Sequence, residues 1–320
     1  MMKRFLGILC CVIAFSSCDD GDLIVETINF DQVTTSSCSA NNLLFKMKES
    51  EILILNIPKN SFDENATPPD NPKELVINTT NQVVYNFYDG KVATNNVCDL
   101  IPPSSPNVET QWKASDGIIE ITTVAVKTTV DENNNSTKIT GYKNTIVFKN
   151  ITFTKENGTE QFYKTFSFGD YLQSITPLKL DFKQVLSACP ETDDVTRYVY
   201  KTSDSDESIS LNIDKKLLKN EDTPEGKPRI GNIGIDINKL VYRFYGGFVD
   251  NTYFCKDEDP AEPEIKEEWL GAGGTVEVTT VTVGNDFKHT IVLKNVNLEK
   301  GNNSFSLGKI YQLGSLTVVP

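Results

Sequence analysis

Apolar and polar residues alternate along much of this chain with the two-residue period of a β-strand. Val83, Tyr85 and Phe87 form one apolar row, and Leu240, Tyr242 and Phe244 repeat it further along. Each row is predicted to face a core. The opposite face carries Asn86 in the first stretch and Arg243 in the second, an exchange that predicts water at its middle. Further on, the pattern predicts an antiparallel meander: Gly117 to Val130, Thr137 to Thr154 and Glu160 to Phe168. In the second of these, the inward row Ile146, Phe148 changes register to Ile151, Phe153 across Lys149-Asn150. Strict alternation would point Asn150 inward, so a β-bulge is predicted there. The same break recurs at Lys294-Asn295. No long helical periodicity interrupts the strands, and Val, Ile, Thr and aromatic residues dominate them, as in sheets.

These patterns occur twice. From Val83 to Val126 the chain returns at an offset of 157, without a gap, as Leu240 to Val283. Cys98 matches Cys255, Pro103 and Pro106 match Pro260 and Pro263, and Trp112 matches Trp269. Outside that run, Leu55-Asn56-Ile57 returns as Leu211-Asn212-Ile213, and Phe166-Ser167-Phe168-Gly169 is matched to Phe305-Ser306-Leu307-Gly308. The expected fold is all-β: two homologous antiparallel sandwich or barrel-like domains in tandem, residues 26–169 and 181–320, joined by a short linker, 170–180. The copies differ at one hairpin. Lys127 to Lys143 stands where Gly284 to Lys288 suffices, a length change expected at a solvent-facing tip, where extra rungs cost little. The loops Asn60 to Pro72 and Asn220 to Pro228 are also expected to face solvent.

Length agrees with two domains, since 320 residues is about twice one ordinary core. The net charge of -13 argues against nucleic acid, which needs a basic face. A single histidine, His289, limits histidine-based catalysis and zinc chemistry, and its place entering a strand predicts an exposed structural residue. The chain has seven cysteines, of which Cys10 and Cys11 fall in an N-terminal apolar run. The duplication pairs Cys38 with Cys98 and Cys189 with Cys255, because an ancestral single domain had to pair its own two. Closing a loop of about sixty residues stabilises by roughly 4 kcal/mol in the chain-entropy model.

Met1 to Arg4 is basic, Phe5 to Phe15 is apolar but too short to span a bilayer, and Phe15-Ser16-Ser17-Cys18 follows. This end resembles the lipobox of bacterial lipoproteins, although Phe15 stands where leucine is usual. The resemblance implies that residues 1–17 are a signal peptide, that Cys18 is palmitoylated and becomes the first mature residue, and that 18–25 is a tether. Asp19, Asp20 and Asp22 resemble an inner-membrane retention signal of some Gram-negative lipoproteins and also the acidic export signal of Bacteroidota-type surface lipoproteins; loops rich in asparagine and lysine favour the second, which implies a surface-exposed place on the outer membrane. Several acyl chains would make that anchorage nearly permanent.

Trp112 and Trp269 each follow a Pro-rich connection, and are the candidate contacts with a ligand or partner; the other reading is a core anchor. In outline the chain resembles the tandem β-domain, glycan-binding lipoproteins of nutrient-uptake systems, a likeness of architecture alone. Glu120 and Glu277 recur, but alternate with threonine and read as surface cross-strand partners rather than a glycosidase pair. The acidic stretch Lys256 to Glu262 lacks the ligand spacing of an EF-hand, and no phosphate-binding loop or other metal signature occurs. The expectation is a non-catalytic envelope lipoprotein of unknown ligand and without a cofactor, a surface-exposed binding or scaffold protein whose partner is a glycan or a protein. A glycan-binding role is the alternative, and a secreted hydrolase the third.

Overall fold

The structure is a computed structural model that describes residues 27–41, 43–182, 184–191, 194–203, 205–256 and 258–319. The expected signal segment, Cys18 and the tether lie outside these residues.

The first copy contributes β1 (Ser36–Ser37), β2 (Leu43–Lys48), β3 (Glu51–Asn56), β4 (Lys73–Val76), β5 (Gln82–Tyr88), β6 (Val108–Asp131), β7 (Ser136–Lys155) and β8 (Glu160–Ser174). The second contributes β9 (Ser187–Ala188), β10 (Thr196–Thr202), β11 (Glu207–Asp214), β12 (Arg229–Asn232), β13 (Lys239–Tyr245), β14 (Ile265–Ala272), β15 (Thr275–Val283), β16 (Asp286–Lys294), β17 (Asn297–Lys300), β18 (Asn303–Ser306) and β19 (Tyr311–Val318). Every described ladder is antiparallel, and the fold is all-β.

The two copies share one topology. In the second, one sheet runs β18-β17-β14-β13-β11-β10-β9 and another β12-β15-β16-β19. In the first, β6, β7 and β8 are continuous, so the equivalents of both sheets join into one sheet, with β4 on the far part of β6. The break has a backbone cause. Gly273 and Gly274 take φ of +63° and +68° between β14 and β15, whereas Gly117 alone takes +133° in β6, at a register shift. A residue without Cβ reaches these angles without a steric cost. A Cβ at Gly274 would lie 2.3 Å from the Lys294 carbonyl oxygen, and one at Gly117 2.8 Å from the Ile151 Cα. The bulge predicted across the adjacent strand is present. Asn150 and Asn295 have left-handed φ of 49° and 53°, conformations that asparagine tolerates best among residues with a Cβ.

Between the two layers of the first copy, Leu53, Leu55, Val83 and Trp112 meet Ile119, Ile121, Ile146 and Phe148. Leu211, Leu240, Tyr242 and Trp269 meet Val276, Val278, Ile291 and Leu293 in the second. Both predicted disulfides are formed, Cys38–Cys98 and Cys189–Cys255. They close a lid over the outer face of β5 and of β13. That face is therefore not the open one expected from the Asn86 and Arg243 exchange. Asn86 is buried under the lid and accepts from Gln111 Nε2 at 3.0 Å. Arg243 is half-buried and bonds Glu268 and Asp259 at 2.8 and 2.7 Å. Beneath the lids, Phe45, Ile52 and Tyr88 form one small cluster, and Tyr200, Tyr245 and Phe254 the other. The apolar row is also shorter than alternation implied, since Phe87 is exposed at its end.

β8 continues to Ser174, through much of the segment read as linker, and pairs with β7 throughout. Pairing also corrects the closing match: Gly169 lies opposite Ile146 and Gly314 opposite Ile291, each at a register shift, so Gly314, not Gly308, is the counterpart. A short Phe-Ser-x-Gly string matched by composition, while the ladder fixes equivalence by hydrogen bonding.

The long hairpin of the first copy is not a free tip. Its Ile139 and Tyr142 are buried in the second copy's core, beside Trp269 and Phe305. Asn134 Oδ1 accepts from the Ile310 amide at 2.8 Å, its Nδ2 donates to the Ile310 carbonyl at 3.0 Å, and its own carbonyl accepts from the Lys309 amide at 2.6 Å. The loop at 64–66 docks as well: Asn303 Oδ1 accepts from the Ala66 amide at 2.9 Å, and Asn303 Nδ2 donates to the Glu64 carbonyl at 3.0 Å.

The left-handed bulge gives a backbone test. Asn150→Gly is expected to keep the urea midpoint near that of the wild type. Asn150→Val should lower stability by about 1–2 kcal/mol, the cost of a left-handed residue with a branched Cβ. Equal effects of the two substitutions would show that the bulge does not constrain this position.

Candidate functional site

The candidate tryptophans sit at equivalent cross-strand positions. Trp112 pairs with Tyr85 and Lys155, and Trp269 with Tyr242. They are only 2% and 3% exposed, which places both rings in the cores rather than on an open platform. Each ring carries a lysine over its face: Lys155 Nζ at 4.1 Å from the Trp112 centroid and Lys300 Nζ at 5.1 Å from that of Trp269. A carboxylate recurs beside them. Tyr85 donates to Glu51 Oε2 at 3.0 Å, and Glu207 holds the matching place next to Tyr242. Burial, followed by the charge of Glu207, pushes the Tyr242 hydroxyl far above its ordinary range. The repeat comparison could have found these carboxylates, since Glu51 and Glu207 precede the matched Leu55 and Leu211 by the same four positions.

One edge of each group borders a cavity. In the second copy this cavity, about 410 Å³, lies between the copies and is lined by Glu64, Tyr142, Leu178, Glu207, Trp269 and Phe305 among others. Three of the four carboxylates that line it, Asp206, Glu207 and Glu267, are engaged within the molecule. Glu207, 1% exposed, accepts the Lys179 and Leu180 amides at 2.7 and 2.9 Å, and so clamps the linker. Glu267 Oε2 accepts from Trp269 Nε1 at 2.8 Å and from Lys300 Nζ at 2.9 Å. Asp206 pairs with Lys179 at 3.1 Å, and its hydrogen bond from Ser205, with Lys179, holds its carboxyl below the usual range. Burial, and then Glu64 and Glu267, pushes the Tyr142 hydroxyl up to about 12, so it stays protonated at neutral pH. The first copy has a smaller cavity of about 210 Å³, lined by Thr27, Glu51, Tyr85, Phe87, Thr110 and Trp112.

The other candidates lie apart. Glu120 and Glu277 are surface partners of Lys149 and Lys294, at 3.4 and 2.8 Å. In the acidic connection Asp259 is engaged by Arg243. Among the described residues no group of three metal-ligating side chains is assembled, and no helix is long and apolar enough to cross a membrane.

His289 is the main correction. It is fully buried rather than exposed, because β15 and β19 flank it in the sheet and the loop at Asn220 to Pro228 folds over it. Nδ1 lies 2.8 Å from Thr280 Oγ1 and Nε2 3.3 Å from Asn220 Oδ1. Asn220 Oδ1 can only accept, so the buried neutral ring carries its proton on Nε2 and takes the Thr280 hydroxyl proton at Nδ1, while Arg229 Nη1 donates to the same Thr280 oxygen at 2.8 Å. In the first copy Thr123 and Asn144 meet in the same way at 2.7 Å. In both copies a threonine from the proline-rich loop closes the knot: Thr67 bonds the Thr123 backbone, and Thr223 the Thr280 backbone, each with an amide donating at 3.0 Å. These loops are tied down at several points, contrary to the fully solvent-facing reading. The signal was available in the repeated Thr67-Pro68 and Thr223-Pro224.

Leu100 and Ile101 stand out on the surface. They are 99% and 85% exposed, just after Cys98 of the disulfide, where the second copy carries Asp257 and Glu258. No protein-family model matches the chain, and neither does any curated protein or solved structure.

The buried imidazole predicts a pH dependence. Burial, then the positive charge of Arg229, lowers the His289 pKa. The unfolded state therefore binds a proton more readily, and stability falls as pH drops below about 6.5, until the lower folded value is reached. His289→Asn, which copies Asn144, should flatten this part of the curve. Thermal midpoints of both proteins from pH 7.5 to 5.5 check it, because carboxylate titration is common to the two. Parallel curves would remove His289 from the account.

Proposed function

We propose that the chain is a non-catalytic, lipid-anchored protein of the cell envelope that binds or scaffolds a protein partner through a rigid two-copy body. The anchor rests on the Phe15-Ser16-Ser17-Cys18 pattern and places the body at the outer membrane, on its outer surface, by the acidic residues that follow. The observation that carries the binding role is the Leu100-Ile101 tip. Two adjacent aliphatic side chains fully in water, on a loop closed by a disulfide, cost solvation and serve no core. The acidic counterpart in the second copy means that the shared fold does not require them there. A disulfide-held loop has little ordering entropy left to lose on contact.

A glycan-binding role in nutrient uptake is the second reading. Stacking on a sugar needs an open ring face, and the burial of Trp112 and Trp269 favours the protein-contact reading over it. A hydrolase would need carboxylates available to substrate, whereas Asp206, Glu207 and Glu267 are engaged within the protein.

Two measurements test the proposal separately. Cys18→Ala should abolish palmitate incorporation and move the protein out of the membrane fraction. Retained labelling would locate the acyl chain elsewhere. For the contact, a photo-crosslinking residue at Leu100 on intact cells should give a discrete adduct. Ile101→Glu should remove that adduct without changing the unfolding midpoint. If no adduct forms, the loop is not the contact.

A further inference from the structure

In the second copy a cavity of about 550 Å³ lies between the disulfide lid and the outer face of β11 and β13, within the size range of small-ligand sites. Strand register sets its floor. Tyr198, Asn212 and Lys239 form one cross-strand row, and Ser210 and Val241 lie in the next row on that face. Its wall is the lid itself, with the edges of Tyr253 and Phe254 beside the Cys189–Cys255 bond. The lid is held there by the Tyr253 hydroxyl, which donates to the Pro260 carbonyl at 3.2 Å, and by Phe254, stacked on Tyr200 at 4.2 Å.

The lining is positive in a chain whose net charge is -13. Lys239, Arg243 and Lys256 face a single carboxylate, Asp259. Arg243 engages that carboxylate at 2.7 Å, which leaves the two lysines in surplus. Among the described residues neither lysine side chain has a hydrogen bond or an ion pair. Asp250 feels the charge of Lys256, but it is held by the Thr252 amide and hydroxyl at 2.8 and 2.6 Å and does not line the cavity. The first copy differs at each of these points. Leu43, Ile54 and Val97 stand for Tyr198, Ser210 and Phe254, and Leu43 and Ile54 pack under the lid. Gln82 and Asp99 stand for the two lysines. The shared fold therefore requires neither the polar floor nor the cations.

We propose that this cavity binds an acidic saccharide. Its carboxylate or sulfate pairs with Lys239 and Lys256, its hydroxyls bond Asn212 and Ser210, and the apolar face of a ring lies against Tyr198 and Phe254. A lining that mixes aromatic edges with amide, hydroxyl and ammonium groups suits a ring that is itself apolar on one face, polar at its rim and charged. An extended acidic peptide fits less well. β11 and β13 are both interior strands, so their backbone groups are already paired and offer it no free edge. The site uses neither tryptophan and is independent of the Leu100-Ile101 contact, which lies in the other copy.

The full-length protein, purified in detergent, is titrated calorimetrically with digalacturonate and with galactose 6-sulfate. Neutral digalactose, acetyl-aspartyl-glutamyl amide and phenylacetate are the controls. Saturable binding of the first acid assigns a carboxylate and of the second a sulfate, and either should weaken as salt is added. Lys239→Gln combined with Lys256→Asp, which copies the first copy, should weaken binding about tenfold, the effect of two partly screened charge pairs. Ser210→Ile, which copies Ile54, should abolish binding by filling the floor. Urea midpoints of the variants check that they fold. The proposal is overturned if neither acid binds saturably, if any control binds as tightly as the acids, or if a folded variant binds like the wild type. Should Ser210→Ile fail to fold, the lysine variant, altered only at exposed side chains, decides the outcome.

Discussion

Ile139 and Tyr142 belong by sequence to the first copy and by packing to the second. Much of the architecture depends on this exchange. A sandwich repeated in tandem leaves each unit free to move unless something joins them, and a linker of a few residues does not suffice. Here the joint is a β-hairpin whose stem pairs within one copy while its far end buries apolar surface in the other. Hydrogen bonds at Asn134 and Asn303 fix the register of contact, and Glu207 holds the linker by two amides. Burial supplies the stabilisation and the directional bonds select one arrangement.

Duplication also supplies an internal comparison. Positions that keep their identity in both copies maintain the fold: the disulfide lids, the Trp–Lys stacks, the asparagine at each bulge and the threonine knots. Those that diverge are free of that duty. His289 for Asn144 changes a neutral knot into one sensitive to protons. Glu267 accepts the indole N–H of Trp269, while Thr110 stands at its place in the first copy and the Trp112 N–H has no acceptor among the described residues. Leu100 and Ile101 against Asp257 and Glu258 make one loop apolar and the other acidic. The asymmetry between the copies therefore marks where the shared scaffold is free to vary.

Both lids change how the sheet should be understood. A sheet with one polar face is expected to leave that face to water. Here the disulfide-closed loops cover it and pack on aromatic residues of the strands, Val92 and Val97 against Phe45 and Tyr88 in one copy and Tyr253 and Phe254 against Tyr200 and Tyr245 in the other. Asn86 and Arg243 remain polar because each finds partners beneath or beside the lid. Neither side chain is a sign of free solvent.

The sequence by itself determined the strand class, the duplication, both cysteine pairings and the bulge at Asn150 and Asn295. Each rests on a local period or on a match between copies, which needs no knowledge of distant contacts. The Phe15-Ser16-Ser17-Cys18 pattern, on which the proposed acyl anchor rests, is local in the same way. Tertiary structure decided the remainder. Whether His289 is exposed depends on a loop some seventy residues away in the chain, at Asn220. Burial of Asn86 depends on a lid whose path a strand period does not encode. The destination of the 127–143 hairpin depends on how the copies dock, and the length difference alone reads equally well as a free tip. Alternation reports which side of a strand is apolar; what comes to cover each side is set by the packing of residues far apart in the chain.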